Sequence, residues 1–171
     1  MTELKRTPFN DFHHQLGAKL VDFGGWEMPL QYSRIIPEHQ TVRQGVGLFD
    51  VSHMGEVFFR GPKALEAVRY LVTNSVDLED GQAQYTCMCN HDGGIIDDLI
   101  VYRLSSEEVL LCVNAANLEK DFSWLYNNNP NPKSVEVSNE SSHYAQVALQ
   151  GRYSVNILSG LTAVNVSEIP Y

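Results

Sequence analysis

Residues 90–102, Asn-His-Asp-Gly-Gly-Ile-Ile-Asp-Asp-Leu-Ile-Val-Tyr, constrain the fold more than any other stretch of this chain. Asp92, Gly93 and Gly94 supply the positive-φ positions that a tight hairpin turn needs. Residues 95–102 are rich in β-branched side chains, which predicts a strand well inside a sheet. Side chains alternate along a strand, so the adjacent acids Asp97 and Asp98 point to opposite faces. Asp97 then lies with Leu99 and Val101, and Asp98 with Ile100 and Tyr102. A carboxylate in packed surroundings is costly unless it is paired or hydrogen-bonded. Two readings follow. Asp98, flanked by an apolar residue and a phenol, lines a ligand pocket; or both acids are structural, capping loop amides or pairing with an arginine.

A chain of 171 residues suits one domain with a sizeable core. Its formal net charge of -9 opposes non-specific nucleic-acid binding, which needs a basic footprint, but not a small anionic ligand held by local cations. No apolar run approaches the ~18–20 residues of a membrane span. The opening Met-Thr-Glu-Leu-Lys-Arg-Thr-Pro lacks the apolar core of a secretory signal, so a cytoplasmic protein is expected. Cys87, Cys89 and Cys112 cannot close a disulfide framework, and a single residue separates the first two. All three are expected as buried small hydrophobes. The histidines are scattered, and no metal site is expected.

Pro8, Phe9, Phe12 and Leu16 predict a first helix capped by Thr7. A strand at residues 19–23, a Gly24-Gly25-Trp26 turn and a helix at 33–44 follow, with Pro37 tolerable only in its first turn. Strands are expected at 48–51 and 55–60, and then a helix opened by Gly61-Pro62 and faced by Leu65, Val68, Leu71 and Val72. Residues 84–89 and 95–104 form the hairpin, and 109–113 add a strand ending at Asn114. A helix then carries Leu118, Phe122 and Leu125 on one side. The Asn/Pro-rich residues 127–132 form a loop. Strands at 135–137 and 145–149, with a helix at 154–158, complete the pattern. Helices mixed with hairpins, without strict βαβ alternation, predict an α+β fold with mostly antiparallel sheets and flanking helices. The closing Glu-Ile-Pro-Tyr reads as a chain halfway into its next element.

Other polar groups compete with the acidic strand for a functional role. Asp50, Ser52 and His53 lie close together, but sequence neighbours diverge and no Gly-x-Ser-x-Gly elbow occurs, so backbone-bonding turn chemistry is expected for Asp50 and Ser52. Trp26 packs on the core or on a ligand. Tyr85 faces Asp98 across the hairpin or makes a simple cross-strand pair. Asn114, at a strand end before a helix, contacts a ligand or caps the helix. Gly93-Gly94 lacks the company of a phosphate loop.

Together these segments resemble the T-protein (aminomethyltransferase) family of the glycine cleavage system. The resemblance is carried by residues 6–9, Arg-Thr-Pro-Phe; residues 16–30, with Val-Asp-Phe-Gly-Gly-Trp-Glu-Met-Pro-Leu at their end; residues 48–55, Leu-Phe-Asp-Val-Ser-His-Met-Gly; residues 93–102; and residues 113–117, Val-Asn-Ala-Ala-Asn. Residues 119–122, Glu-Lys-Asp-Phe, and 148–151, Ala-Leu-Gln-Gly, agree with it. A distantly related folate-binding iron-sulfur repair protein shares the fold, but its cysteine motif is absent. The family implies transfer of a methylene group from the aminomethyl-lipoyl arm of the H-protein to tetrahydrofolate, with release of ammonia. By the same resemblance Asp98 is the catalytic acid near the reacting pterin nitrogens, and Met54, Tyr85, Tyr102 and Asn114 line the folate pocket.

Two features depart from the family. Arg152 follows Gly151 where the family has proline, which alters only a helix start. Family members are also roughly twice as long. The resemblance therefore implies that residues 1–171 are the N-terminal part of the folate-binding region, apparently truncated. The part lacking contributes a glutamate, an arginine and a C-terminal β-domain. Poor stability is expected from uncovered edges, and no turnover from this chain alone. The alternative is a truncated non-catalytic folate- or H-protein-binding module.

Overall fold

The computed structural model describes residues 3–169. Pro170 and Tyr171 of the closing stretch, and Met1 and Thr2 of the opening one, lie outside the described residues. In chain order the elements are α1 (Asn10–Gln15), β1 (Lys19–Phe23), β2 (Trp26–Gln31), α2 (Ile35–Gln44), β3 (Gly47–Asp50), β4 (Gly55–Arg60), α3 (Ala64–Leu71), β5 (Ala83–Cys89), β6 (Ile95–Ser105), β7 (Glu108–Val113), α4 (Leu118–Asn127), β8 (Glu136–Asn139), β9 (Val147–Gln150) and α5 (Ser154–Ser159). Every strand pair is antiparallel, and the α+β class expected from the sequence is the one observed. The chain divides into two compact units, one formed by residues up to His53 with those from Ala145 onward, the other by Met54–Tyr144.

The first unit holds two two-stranded sheets, β1–β2 and β3–β9. Trp26, expected to complete a turn with Gly24 and Gly25, instead opens strand β2, because residues 26–31 find a partner in β1. Its Pro29 is accommodated in a sheet of only two strands. Thr7 does not cap α1. Its hydroxyl donates to Asp50 Oδ2 at 2.6 Å, and Phe9 occupies the cap position without a side-chain bond. The same Oδ2 lies 2.8 Å from His13 Nε2, and Asp50 Oδ1 accepts from the Ser52 amide at 2.9 Å. Ser52 Oγ in turn donates to the Gln146 carbonyl at 3.1 Å. Asp50 and Ser52 thus do the backbone-bonding work expected of them.

The second unit is a five-stranded sheet in the order β5-β6-β7-β4-β8. One face carries Val57, Phe59, Leu99, Val101, Val109 and Leu111, all buried with Ala64, Val68 and Leu71 of α3 and Leu125 of α4. Burial of this kind contributes about 25 cal/mol for each Å² of apolar surface removed from water. The alternation predicted for the acidic strand holds. Asp97, Leu99 and Val101 are buried, while Asp98, Ile100 and Tyr102 are half-buried on the opposite face. β4 opens on Gly55, where a Cβ would come within 2.5 Å of Leu118 and 2.7 Å of Val113, so α4 packs tightly at this corner of the sheet. Among the described residues no helix is long and apolar enough to cross a membrane.

Candidate functional site

Register puts Asp98, Tyr85 and Tyr102 on one face of the second unit's sheet. Asp98 lies opposite Cys87 of β5, and Tyr85 opposite Ile100. Ile100 faces Cys112 of β7, which faces Glu56 of β4. Met54 and Asn114 lie one residue beyond the last β4–β7 pair, and the Asn114 side chain reaches the Asp98 backbone carbonyl. Tyr102 shares the face with Asp98 but lies four residues along β6, about 13 Å away at the usual strand rise. Tyr85 and Tyr102 thus share the Asp98 face, whereas the Asn114 amide reaches Asp97 on the buried side of β6.

Two contacts fix Asp98. The exposed Tyr85 phenol is hydrogen-bonded to the Asp98 carboxylate, and that bond is the first cause holding the phenol above its ordinary range, ahead of burial and the charge of Asp98. The Asn114 side-chain amide donates to the Asp98 backbone carbonyl at 3.0 Å. The same Nδ2 donates to Asp97 Oδ1 at 3.1 Å, so Asn114 ties the two acids together across the strand. It makes no helix-capping bond, so of the two roles weighed for it capping is the one not seen. Tyr102 is raised by burial first and then by Cys112. Met54 is half-buried just before β4.

The cysteines depart from expectation. Cys112 is buried, but Cys87 and Cys89 are only partly so. A bulge between Met88 and Cys89 shifts the register there, and it is Met88 that is fully buried.

Two buried acids, one on each face of this sheet, did not emerge from the sequence reading. Glu56 is 4% exposed, its Oε2 has no partner among the described residues, and burial pushes its carboxyl up to about 7 against the hydrogen bond with Ser141. An acid inside the run Gly-Glu-Val-Phe-Phe-Arg was the available signal. Asp121 of α4 is fully buried on the opposite face of the sheet, against Asp97. It falls between Leu118 and Leu125 on the helix's apolar stripe, which was its signal.

The cavities near this unit lie elsewhere. A cleft of about 430 Å³ is lined by Asn90, Ile96, Lys120 and Trp124, and does not include Asp98. In the first unit, a cavity of about 530 Å³ is bounded by Met28, Tyr32, Val42 and Phe49 among others. Asp98 lines neither cavity, and its face is half-buried at Asp98, Ile100 and Tyr102 and buried at Glu56 and Cys112.

The fold is antiparallel with flanking helices, and comparison with known proteins gives its class: the chain belongs to the GCVT N-terminal domain family, which matches residues 9–171. It is similar to the aminomethyltransferase of Desulfitobacterium hafniense (strain Y51), 51% identical over 174 residues, which span 100% of this chain and 47% of that protein. The aminomethyltransferase of Lysinibacillus sphaericus (strain C3-41) is 50% identical over 99% of this chain and 46% of its own length. Among solved structures, the glycine cleavage system aminomethyltransferase T from Bartonella henselae superposes with a TM-score of 0.90 at 34% identity, covering 98% of this chain and 46% of that one. The chain spans about half the length of the relatives it matches.

Proposed function

We propose that this chain supplies the Asp98 side of a folate site in an aminomethyltransferase of the glycine cleavage system, the N-terminal part of that enzyme's folate-binding region. The reaction is transfer of a methylene group from the aminomethyl-lipoyl arm of the H-protein to tetrahydrofolate, with release of ammonia, in a cytoplasmic setting. The observation that carries this reading is the Asp98 carboxylate held by the Tyr85 phenol on the half-open sheet face.

The residues present fit such a ligand. Tyr85, Ile100 and Tyr102 form an aromatic and apolar platform for a flat heterocycle, and Asp98 gives it one acceptor. Bound tetrahydrofolate supplies the nucleophilic ring amine. The Asp98 carboxylate would orient that amine by accepting its N–H and hold its proton in transit. Over the whole transfer two folate C–N bonds replace the carbon's bonds to the ammonia nitrogen and the lipoyl sulfur, and the two folate N–H protons end on ammonia and the lipoyl thiol. Asn114 keeps the Asp98 backbone from drifting, so the acceptor is preorganised and not recruited from solvent. Met54, half-buried just before β4, would add to the apolar border.

A second reading has one observation in its favour, the chain's coverage of 47% of a relative. Under it the chain is a non-catalytic folate- or H-protein-binding module. The deciding experiment offers lipoylated H-protein and tetrahydrofolate to the 171-residue chain and to a full-length protein carrying it. Methylenetetrahydrofolate from the long form alone supports the enzyme reading. Binding without turnover in both supports the module. Neither binding nor turnover in either sinks both.

A further inference from the structure

Behind the proposed site lies a pair of acids that the folate reading does not use. Asp97 is 7% exposed and Asp121 is 0% exposed, and the two carboxyls stand close enough for each to perturb the other. Among the described residues, neither oxygen of Asp121 and not the Oδ2 of Asp97 finds a nitrogen or hydroxyl donor. Asp97 Oδ1 accepts from Asn114 at 3.1 Å, and the Asn117 side chain also bonds Asp97. Lys120 is the nearby cation, but its Nζ is 3.9 Å from Asp121 Oδ1, half exposed, and committed to the Ile96 carbonyl at 2.7 Å. On the other side stands Asp98, a further negative group. Two carboxylates buried in contact without a close counter-ion cannot both be ionised.

We propose that Asp97 and Asp121 share one proton, and that this acid–carboxylate pair is a positioning device, holding Asn114 and through it the Asp98 backbone. One proton between the acids turns two facing acceptors into a donor and an acceptor, which satisfies one otherwise lone oxygen on each acid and leaves the second oxygen of Asp121 toward Lys120 or unpaired. Asp97, kept as the carboxylate, then has a full charge with which to grip the Asn114 amide. That amide also grips the Asp98 carbonyl, so the order of contact is Asp121, Asp97, Asn114, Asp98.

The electrostatics agree with this division. Burial comes first in pushing Asp121 up, to about 8, followed by the hydrogen bond and charge of Asp97, against the pull of Lys120. Burial also raises Asp97, but hydrogen bonds from Asp121, Asn117, the Asp98 backbone and Asn114 outweigh it and hold that group low. The functional meaning of the device rests on the Asp98 reading above. The shared proton does not.

The test uses the 171-residue chain labelled with carboxyl-¹³C aspartate, which leaves glutamate bands such as that of Glu56 unshifted. Infrared spectra at pH 7 should show a protonated aspartyl carboxyl that disappears in Asp121→Asn. Its absence from the wild type, or its persistence in Asp121→Asn, overturns the shared proton. The positioning step is read at the Tyr85 phenol, by NMR titration of labelled tyrosine. Asp121→Ala should move the Tyr85 titration to lower pH by loosening Asp98. Asp121→Asn, whose amide donates to Asp97 as the acid does, should restore it. An unmoved Tyr85 in a folded Asp121→Ala chain, or an equal shift in both variants, overturns positioning. Should Asp121→Ala fail to fold, Asn114→Ala serves the same readout, and an unmoved Tyr85 there overturns positioning too. Full turnover by Asp98→Asn in the long protein would defeat the folate reading while leaving the infrared band in place.

Discussion

The Tyr85 hydroxyl meets the Asp98 carboxylate although the two residues are not partners in the strand ladder. Tyr85 lies opposite Ile100, and Asp98 opposite Cys87. The bond is therefore diagonal, within reach of a long aromatic side chain across neighbouring strands. It leaves the position directly beside Asp98 to a small thiol and opens room over the carboxylate.

Removing the acid without changing its shape tests its role. In a full-length aminomethyltransferase carrying these residues, Asp98→Asn should lower kcat by about 100-fold or more, the range of general acid–base contributions. The KM for tetrahydrofolate should change far less. Equal loss in Asp97→Asn with none in Asp98→Asn would mean the wrong face of β6 had been chosen.

The diagonal bond has its own signature. Because the hydrogen bond to Asp98 is the main cause raising the Tyr85 phenol, Asp98→Asn should let it ionise at lower pH. Ultraviolet titration of the wild type against Asp98→Asn, with Tyr85→Phe to assign the step, measures this. A Tyr85 step at the same pH in both would remove the bond from the account.

Glu56 predicts a dependence of stability on pH. Its folded carboxyl is pushed up to about 7 from the ordinary 4.5, so the unfolded chain releases this proton more readily. The neutral form's contribution is complete below pH ~4.5 and is lost as pH rises through about 7. The full effect is about 3 kcal/mol at one pKa unit per 1.36 kcal/mol. Glu56→Gln should thus gain on the wild type in urea melts between pH 5 and pH 8, and parallel curves would refute the assignment.

Asp50 predicts a loss of a different kind. Burial opposes its charge, but hydrogen bonds from Thr7, His13 and Ser52 prevail and hold the carboxyl low. Asp50→Ala strands those partners and should cost about 3–5 kcal/mol in denaturant unfolding. Asp50→Asn keeps one acceptor oxygen and should cost less. A loss under about 1 kcal/mol in the alanine variant would show that the network is dispensable.

Much of the second unit was legible because its strands obey a period of two. The opposite faces of Asp97 and Asp98 follow from alternation alone, and β-branching told strand from helix. What failed were choices between local and distant partners. Thr7 has the chemistry of a helix cap, yet its hydroxyl goes to Asp50, 43 positions along the chain. Trp26 looks like part of a turn until β1 supplies the ladder for residues 26–31. Asp121 interrupts an apolar helix stripe visibly, but nothing in its neighbourhood says that its partner is Asp97. For the site, the residue types were readable and the resemblance assigned them roles. The diagonal reach of Tyr85 and the double grip of Asn114 needed three dimensions.

The pairing of β3 with β9 bears on synthesis. Gly47 meets Gln150 and Asp50 meets Val147, so about a hundred residues separate these partners, whereas partners within the β5–β6–β7 meander lie at most about twenty residues apart. A ribosome delivers all of Met54–Tyr144 before β9 exists. At about 5–20 residues per second, β3 waits several seconds with no partner strand, while the segment bearing Asp98 is already free to collapse. Nascent-chain arrest before Val147 should therefore catch a protease-resistant sheet carrying Asp98 beside an unfinished first unit.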